Sequence, residues 1–306
     1  MIGGSRAQHL PAFFLQDEWT LRENLALTAG VGVDAHPEAG VSASPRGSLV
    51  YSPWKDHTFR VSVAKAFRSP SYLENFEALP FKLLPSPPPP LPQTAITLGN
   101  RDLQPEEMLS YEVGYQTLLL NRLRVRIDLF YNQLEQLIVL GQPVFSQASP
   151  LLPPIPTGLQ FINRGEGDIG GGEVGVEVFI TSWLKGSLNY SYQERKGDAS
   201  AMADVAPHHK ANAGLTFSFI NGLSANVLVH YGGEAEAFFG RFLAPSLVQV
   251  NPYTIVNLRL AYRFTVFGNQ TEAAIQAFNL LNDVHREVPG GDLLERRVSG
   301  TLRYRF

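Results

Sequence analysis

Strict alternation of side-chain character governs residues 121–131, which read NRLRVRIDLFY. Leu123, Val125 and Ile127 are apolar, and the residues between and before them are charged. Successive side chains of a β-strand point to opposite faces, so this pattern predicts a strand with one apolar face and one charged face. A chain built from such strands must place different environments on the two sides of its sheet.

The same alternation returns along the whole chain, in about thirteen segments. Many of them are about ten residues long, whereas a globular strand usually has about five or six. No segment shows the spacing of an amphipathic helix, so the sequence predicts an all-β fold. The clearest segments are 24–34, 109–117, 184–193, 210–219, 256–264 and 297–306.

Short and long connections alternate between these segments. In an antiparallel meander every second connection lies at the same end of the sheet, so the short turns share one side and the long loops share the other. That asymmetry is typical of an outer-membrane β-barrel, which has short periplasmic turns and longer extracellular loops. The short connections are 20–23, 52–56, 118–121, 181–183, 220–222 and 266–270. The long ones are 35–44, 68–107, 139–157, 195–206, 234–249 and 281–293.

Composition excludes several other classes of protein. Charged residues make up 17% of the chain, below the roughly 25% of an average soluble domain. The net charge of −3 provides no basic surface for nucleic acid, and the absence of cysteine excludes disulfides and cysteine-ligated metals. No apolar run approaches the ~18 residues of a membrane-spanning helix. Residues 1–20 also lack the basic, apolar and small-residue regions of a signal peptide.

The three tryptophans agree with this orientation. Trp19 precedes one short turn, and Trp54 and Trp183 lie in two others. Tryptophan prefers the headgroup level of a membrane, where its ring is apolar and its N–H stays hydrated. We therefore expect all three at the periplasmic rim.

A lipid-facing apolar side also fixes the strand register. A shift of one residue would place Arg122, Arg124 and Arg126 in hydrocarbon, at roughly 2–4 kcal/mol each near the midplane. We expect these arginines to face the lumen of the barrel and their apolar neighbours to face lipid.

Eight ordered segments resemble the barrel of TonB-dependent outer-membrane receptors. They include FRVSVAKAFRSPSYLENF, GNRDLQPEEMLSYEVGYQ, FINRGEGDIGGGEVGVEV and AFNLLNDVHREVPG. The closing TLRYRF resembles the C-terminal strand of that family, whose final aromatic residue, here Phe306, is recognised by the barrel assembly machinery. The resemblance implies an N-terminal plug inside a 22-stranded barrel, which imports a ferric siderophore, cobalamin or a similar nutrient with energy delivered through TonB.

Counted back from Phe306, the strands resemble about the last thirteen of that barrel. Nothing in the sequence resembles the plug, the TonB-contacting segment or the first strands. We therefore expect residues 1–306 to be the C-terminal part of a single transmembrane β-barrel domain, without a plug. Its open edges would leave backbone groups unsatisfied in hydrocarbon, so the chain alone is not expected to form a closed, active transporter.

Basic residues on the polar face lie toward the periplasmic ends of their strands. One interpretation is that this basic band donates charge-assisted hydrogen bonds to acidic groups of the plug. The other is that it pairs within the barrel wall, where Glu112, Glu177 and Glu272 share its face. The band consists of Arg60, Arg122, Arg124, Arg126, Lys185, Arg259, Arg263, Arg303 and Arg305.

Ligand binding, by the same resemblance, belongs to the extracellular loops and the plug. Aromatic and arginine side chains there suit an anionic or aromatic chelate, and they equally suit packing of the loops against each other. The candidates are Arg68, Tyr72, Phe76, Phe81, Phe238, Phe239 and Arg241.

Neither catalysis nor metal binding has a motif to support it. His208 and His209 are adjacent, so they point to opposite faces of a strand. The glycine-rich stretch 167–175 lacks the Lys-Ser/Thr pair of a phosphate-binding loop. We expect no enzyme activity, no cofactor and no resident metal. The alternatives are a passive porin or adhesin barrel, which would lack a plug upstream, and an outer-membrane hydrolase, which would need a Ser/His or Asp/His group on adjacent strands.

Overall fold

The architecture comes from a computed structural model, which describes residues 9–82, 94–146, 155–198, 206–241, 244–288 and 291–306. One short helix, α1 (Tyr72–Phe76), accompanies the strands. The strands are β1 (Ala12–Arg22), β2 (Leu25–His36), β3 (Gly40–Trp54), β4 (His57–Arg68), β5 (Ala78–Lys82), β6 (Thr94–Leu98), β7 (Glu106–Leu119), β8 (Leu123–Ser146), β9 (Ile155–Phe179), β10 (Leu184–Gly197), β11 (His209–Ser218), β12 (Leu223–Gly232), β13 (Ala235–Arg241), β14 (Ala244–Val250), β15 (Tyr253–Val266), β16 (Asn269–Phe278) and β17 (Arg297–Tyr304).

Thirteen strands form one path, in the order β1-β2-β3-β4-β7-β8-β9-β10-β11-β12-β15-β16-β17. Every pair along this path is antiparallel, which confirms the predicted meander and its number of strands. Strands β13 and β14 form a separate hairpin, and β6 pairs with β5 and runs parallel to β9. Among the described strands β1 and β17 have a neighbour on one side only, so the sheet is open at both ends.

The apolar face of the sheet is continuous and exposed. Val61, Val113 and Leu129 are 53%, 50% and 56% exposed, far more than a soluble core would allow. A continuous apolar face of this kind is stable against the acyl chains of a membrane. The register sets five such side chains opposite one another in successive strands, namely Leu27, Leu49, Val61, Val113 and Leu129. The predicted two-sided sheet is therefore present.

The short connections are tight hairpin turns, as predicted. Only Lys55 and Asp56 separate β3 from β4, and only Phe267 and Gly268 separate β15 from β16. Asp56, Phe267 and Gly268 take positive φ angles of 65°, 50° and 81°. Two-residue hairpins need such left-handed backbone to match the twist of the strands they join.

The long connections differ in part from the prediction. The expected loop 35–44 is mostly strand, because β2 and β3 continue to a turn at residues 37–39. Likewise β8 and β9 extend well into 139–157, and β13 and β14 occupy most of 234–249. Strand pairing satisfies backbone N–H and C=O groups in water as well as in lipid. Two paired strands can therefore extend beyond the membrane into water. No helix in the described part of the chain is long and apolar enough to span a bilayer.

Candidate functional site

The charged face of the sheet carries ion pairs between neighbouring strands. Arg60 on β4 contacts Glu112 on β7 at 3.1 Å and Asp128 on β8 at 3.3 Å. Asp128 also accepts a 2.6 Å hydrogen bond from Arg126, two residues away on the same face. Three strands are thereby linked by one cluster on the lumenal side.

Two further glutamates each hold a pair of basic groups. Glu177 on β9 contacts Arg124 at 3.4 Å and Lys185 at 3.0 Å. Glu272 on β16 accepts a 2.6 Å hydrogen bond from Arg259 on one carboxylate oxygen and a 2.8 Å hydrogen bond from Arg263 on the other. These acids are only 35% and 15% exposed, whereas Arg263 is 73% exposed.

The remaining members of the basic band form no ion pair within the described residues. Arg122 lies in the turn before β8. Arg303 and Arg305 are at the end of β17, where they line a cleft of about 300 Å³ together with Arg263 and Gln270. The structure therefore divides the band into six bases paired within the wall and three that are not.

Sequence reasoning missed Asp128 as the shared acid of the first cluster. Its position two residues after Arg126 places both side chains on one face, and this spacing was available in the sequence. The contact between Arg60 and Asp128 joins residues 68 apart in the chain, so it depends on the order of the strands in the sheet.

At the extracellular end, Arg68 clamps three segments together. This last residue of β4 faces Glu106, the first residue of β7, in the sheet register. Its guanidinium donates two hydrogen bonds to Glu106, at 2.6 and 2.7 Å, and two to Glu74 of α1, both at 2.9 Å. Glu106 also accepts the backbone N–H of Ile138 at 2.8 Å. Four of the five N–H donors of Arg68 are thus already used.

Helix α1 is fixed at its start by a capping box. Ser71 accepts the backbone N–H of Glu74, and the Glu74 carboxylate accepts the backbone N–H of Ser71 at 2.7 Å. Burial alone would raise the pKa of Glu74, but the hydrogen bonds from Arg68 and Ser71 outweigh it, so this pKa lies below its ordinary value. The helix is held in place by a carboxylate that must be ionised.

A second set of contacts joins the two long loop regions. Asn163 of β9 donates to the carbonyl oxygens of Gln104 and Gln136, at 2.9 and 2.7 Å, and accepts the backbone N–H of Gln104 at 2.8 Å. Leu103 and Leu137 are the largest fully buried side chains among the described residues, each 1% exposed. The described parts of two segments, 69–82 with 94–106 and 136–146 with 155–163, therefore pack as one unit, which we call the loop module.

Apart from Arg68, the predicted ligand residues fall into two groups. Tyr72 and Phe76 pack on each other in α1 with ring centroids 5.0 Å apart, and the Arg101 guanidinium lies 4.9 Å from the Phe76 ring. Tyr72 remains 45% exposed. The other four residues belong to the strands β5 and β13, but their side chains lie outside the described part of the structure; they are Phe81, Phe238, Phe239 and Arg241.

The two adjacent histidines make separate contacts. His209 lies 2.7 Å from the Tyr190 hydroxyl, and His208 lies 2.8 Å from the Gln193 carbonyl oxygen. Within the described residues no group of three or more metal-ligating side chains lies close together.

Comparison with known proteins places the chain in a family. Residues 3–280 match the family described as TonB dependent receptor-like, beta-barrel. An iron-regulated outer membrane virulence protein of Vibrio cholerae is 26% identical over 272 residues, which are 83% of this chain and 38% of the relative.

Solved structures share the fold. The siderophore receptor PirA from Acinetobacter baumannii superposes with a TM-score of 0.78 at 18% identity, over 100% of this chain and 47% of that one. A variant of the ferric enterobactin receptor from Pseudomonas aeruginosa has a TM-score of 0.78 at 20% identity, over 96% of this chain and 44% of that one. The chain thus spans less than half the length of these relatives. It belongs to the TonB-dependent receptors of the bacterial outer membrane, and its described strands form part of their β-barrel.

Proposed function

We propose that the chain is the C-terminal barrel portion of a receptor that imports a ferric siderophore or a similar iron chelate. Its domain, residues 1–306, is a single stretch of transmembrane barrel without a plug. The observation that carries the proposal is the two-sided sheet, which has a lipid-facing apolar surface and an ion-paired lumenal wall. A wall of this kind encloses a polar interior of the sort that a plugged transporter needs.

The names of the relatives favour iron over other nutrients. The Vibrio cholerae protein is described as iron-regulated, and two solved neighbours are described as receptors for siderophores or for ferric enterobactin. Cobalamin remains an alternative cargo of the same architecture. The transport role agrees with the expectation that the protein is not an enzyme.

Partners follow from the same proposal. The lumenal basic band faces the plug of the complete receptor, and Arg122, Arg126 and Arg263 are exposed and available for contact with it. TonB acts through regions outside this chain. Phe306 is fully exposed at the end of the last strand, as a residue recognised by the barrel assembly machinery would be.

A binding experiment tests the proposal. The chain is refolded in detergent and titrated with a ferric catecholate, a ferric hydroxamate and cobalamin, while tryptophan fluorescence is followed. We expect saturable binding of one ferric chelate, weakened several-fold by Tyr72→Ala. Saturable binding of none of the ferric chelates would contradict the proposal, and rapid passage of small sugars through the complete receptor in a liposome-swelling assay would indicate a passive porin.

Plug contact is tested separately. Plug retention in the complete receptor should fall when Arg122, Arg126 and Arg263 are replaced together by glutamine. Unchanged retention would mean that the band serves the barrel wall alone.

A further inference from the structure

Two arginines at the end of the last strand lack the partner that their neighbours have. Arg303 of β17 stands directly opposite Glu272 of β16 in the register. Arg305 follows two residues later, on the same face, and its backbone N–H continues the ladder to Gln270 at 3.1 Å. Neither side chain forms an ion pair within the described residues, although both line the cleft beside Glu272.

The hydrogen bonds of Glu272 go to two other arginines instead. Arg259 occupies one of its oxygens at 2.6 Å, and Arg263 occupies the other at 2.8 Å. The cleft therefore gathers three arginines, Arg263, Arg303 and Arg305, around the single glutamate, which Arg259 also contacts. Charge-assisted hydrogen bonds are stronger than neutral ones, so a carboxylate beside these two guanidinium groups would bind them well, and the lining of the cleft provides no second acid for this purpose.

Such a carboxylate belongs on the free side of β17. All eight residues of this strand are exposed, and β16 is its only neighbour among the described strands. A strand with apolar side chains such as Leu302, which is 73% exposed, lies in the hydrocarbon layer, where unpaired backbone groups are costly. Elsewhere on the lumenal wall, the ion pairs between strands join a base and an acid that are one or two strands apart.

A closed barrel requires an antiparallel partner strand on the free edge of β17. We propose that this partner strand carries two carboxylates at alternate positions facing Arg303 and Arg305. The residue between the two carboxylates is apolar, because it faces lipid on the same side as Leu302 and Tyr304. The proposal rests on the barrel function proposed above, and it assigns Arg303 and Arg305 to strand pairing rather than to the plug. The partner is thus an amphipathic β-strand with an acidic face.

Peptide binding tests the proposal. The chain, refolded in detergent micelles, is mixed with fluorescent peptides that alternate valine with glutamate, glutamine or lysine, and anisotropy gives each dissociation constant. We expect the glutamate peptide to bind about tenfold or more tightly than the glutamine peptide. The double variant R303Q/R305Q should lose this preference, and R303E/R305E should prefer the lysine peptide instead.

Matched variants separate pairing from misfolding. R303K/R305K keeps the charges and should keep the preference. R297Q should also keep it, because Arg297 begins the same strand and contacts Phe278 instead, 4.8 Å from its ring. Circular dichroism of each variant reports the barrel fold independently, so loss of strand content would count against the barrel and not against the pairing.

Three outcomes would overturn the proposal. Equal binding of all three peptides would show that β17 has no acidic partner. Binding of none of them to a chain with full strand content would show that its edge accepts no strand. Capture of phosphatidylglycerol micelles in place of the peptide, lost in R303Q/R305Q, would show that the arginines bind an anionic lipid.

Discussion

Leu188 and Asn189 are neighbours in β10, yet their side chains lie in different solvents. The register places Leu188 opposite Val176 and Ala213 on the lipid side, and Asn189 opposite Gly175 and Asn212 on the lumenal side. Both residues are exposed within the sheet. What each position tolerates therefore depends on which medium it meets and not on how deeply it is buried.

A pair of substitutions at these positions should give unequal losses. Leu188 lies four residues above the start of β10, roughly 13 Å along the strand, so Leu188→Arg should lower the free energy of unfolding by about 2–4 kcal/mol. Asn189→Arg meets water and nearby lumenal acids and should cost less than about 1 kcal/mol. Urea unfolding in liposomes measures both. Equal losses would mean that the two faces do not meet different media.

At the scale of elements, the loop module shows how a barrel supports structure above the membrane. Strand β4 ends at Arg68 and β7 begins at Glu106, and their ion pair also fixes α1 through Glu74. Gly158 supports the same module, because a Cβ there would clash with the carbonyl oxygen of Ile96. Only glycine allows the parallel approach of β6 to β9 at this point.

Removal of Arg68 should loosen the module without unfolding the barrel. Arg68→Ala leaves Glu74 and Glu106, only 14% and 12% exposed, without their cation. We expect a local loss of about 1–3 kcal/mol, since the guanidinium itself is partly exposed and screened. Amide exchange in α1 should become about tenfold faster or more. Lys65→Gln is the matched control, because its pair with Glu107 is exposed on both sides and its loss should leave α1 unchanged.

The same clamp should weaken in acid. The pKa of Glu74 is lowered in the folded state, so its contribution is complete above the ordinary value of 4.5 and is lost as the pH falls through the lower folded value. A spin label on Leu73 should become more mobile below that point, and Glu74→Gln should be mobile at every pH. A label whose mobility in the unsubstituted chain stays constant throughout the acid titration, until the barrel itself unfolds, would refute this linkage.

For the whole molecule, the sequence was sufficient to predict the faces, the meander and the side of the short turns, because period-two alternation and turn length are local signals. It did not predict α1, the parallel approach of β6 to β9 or the loop module. The contacts of Asn163 with Gln104 join residues 59 apart, and no periodic pattern in the sequence predicts such a contact. For Arg68 the sequence left ligand contact and loop packing open, and it did not identify Glu74 and Glu106 as partners.

The open edges of β1 and β17 lead to a prediction about the isolated chain. Unpaired backbone groups cannot be satisfied in hydrocarbon, so the chain alone should not form a sealed, energy-dependent transporter. Proteoliposomes containing only this chain should show no uptake of iron chelate that depends on a proton gradient. The complete receptor of a solved relative serves as the positive control. Full uptake by the chain alone would refute the prediction.

The tryptophans near the short turns are intrinsic fluorescence probes of depth in the membrane. Trp19, Trp54 and Trp183 are all at least 41% exposed, and Trp183 stacks on Phe219 with ring centroids 5.6 Å apart. Because all three emitters lie at one boundary of the bilayer, brominated lipids should quench them most strongly when the bromine is near the headgroups. Tryptophan emission thus reports how deeply this end of the barrel lies in the bilayer.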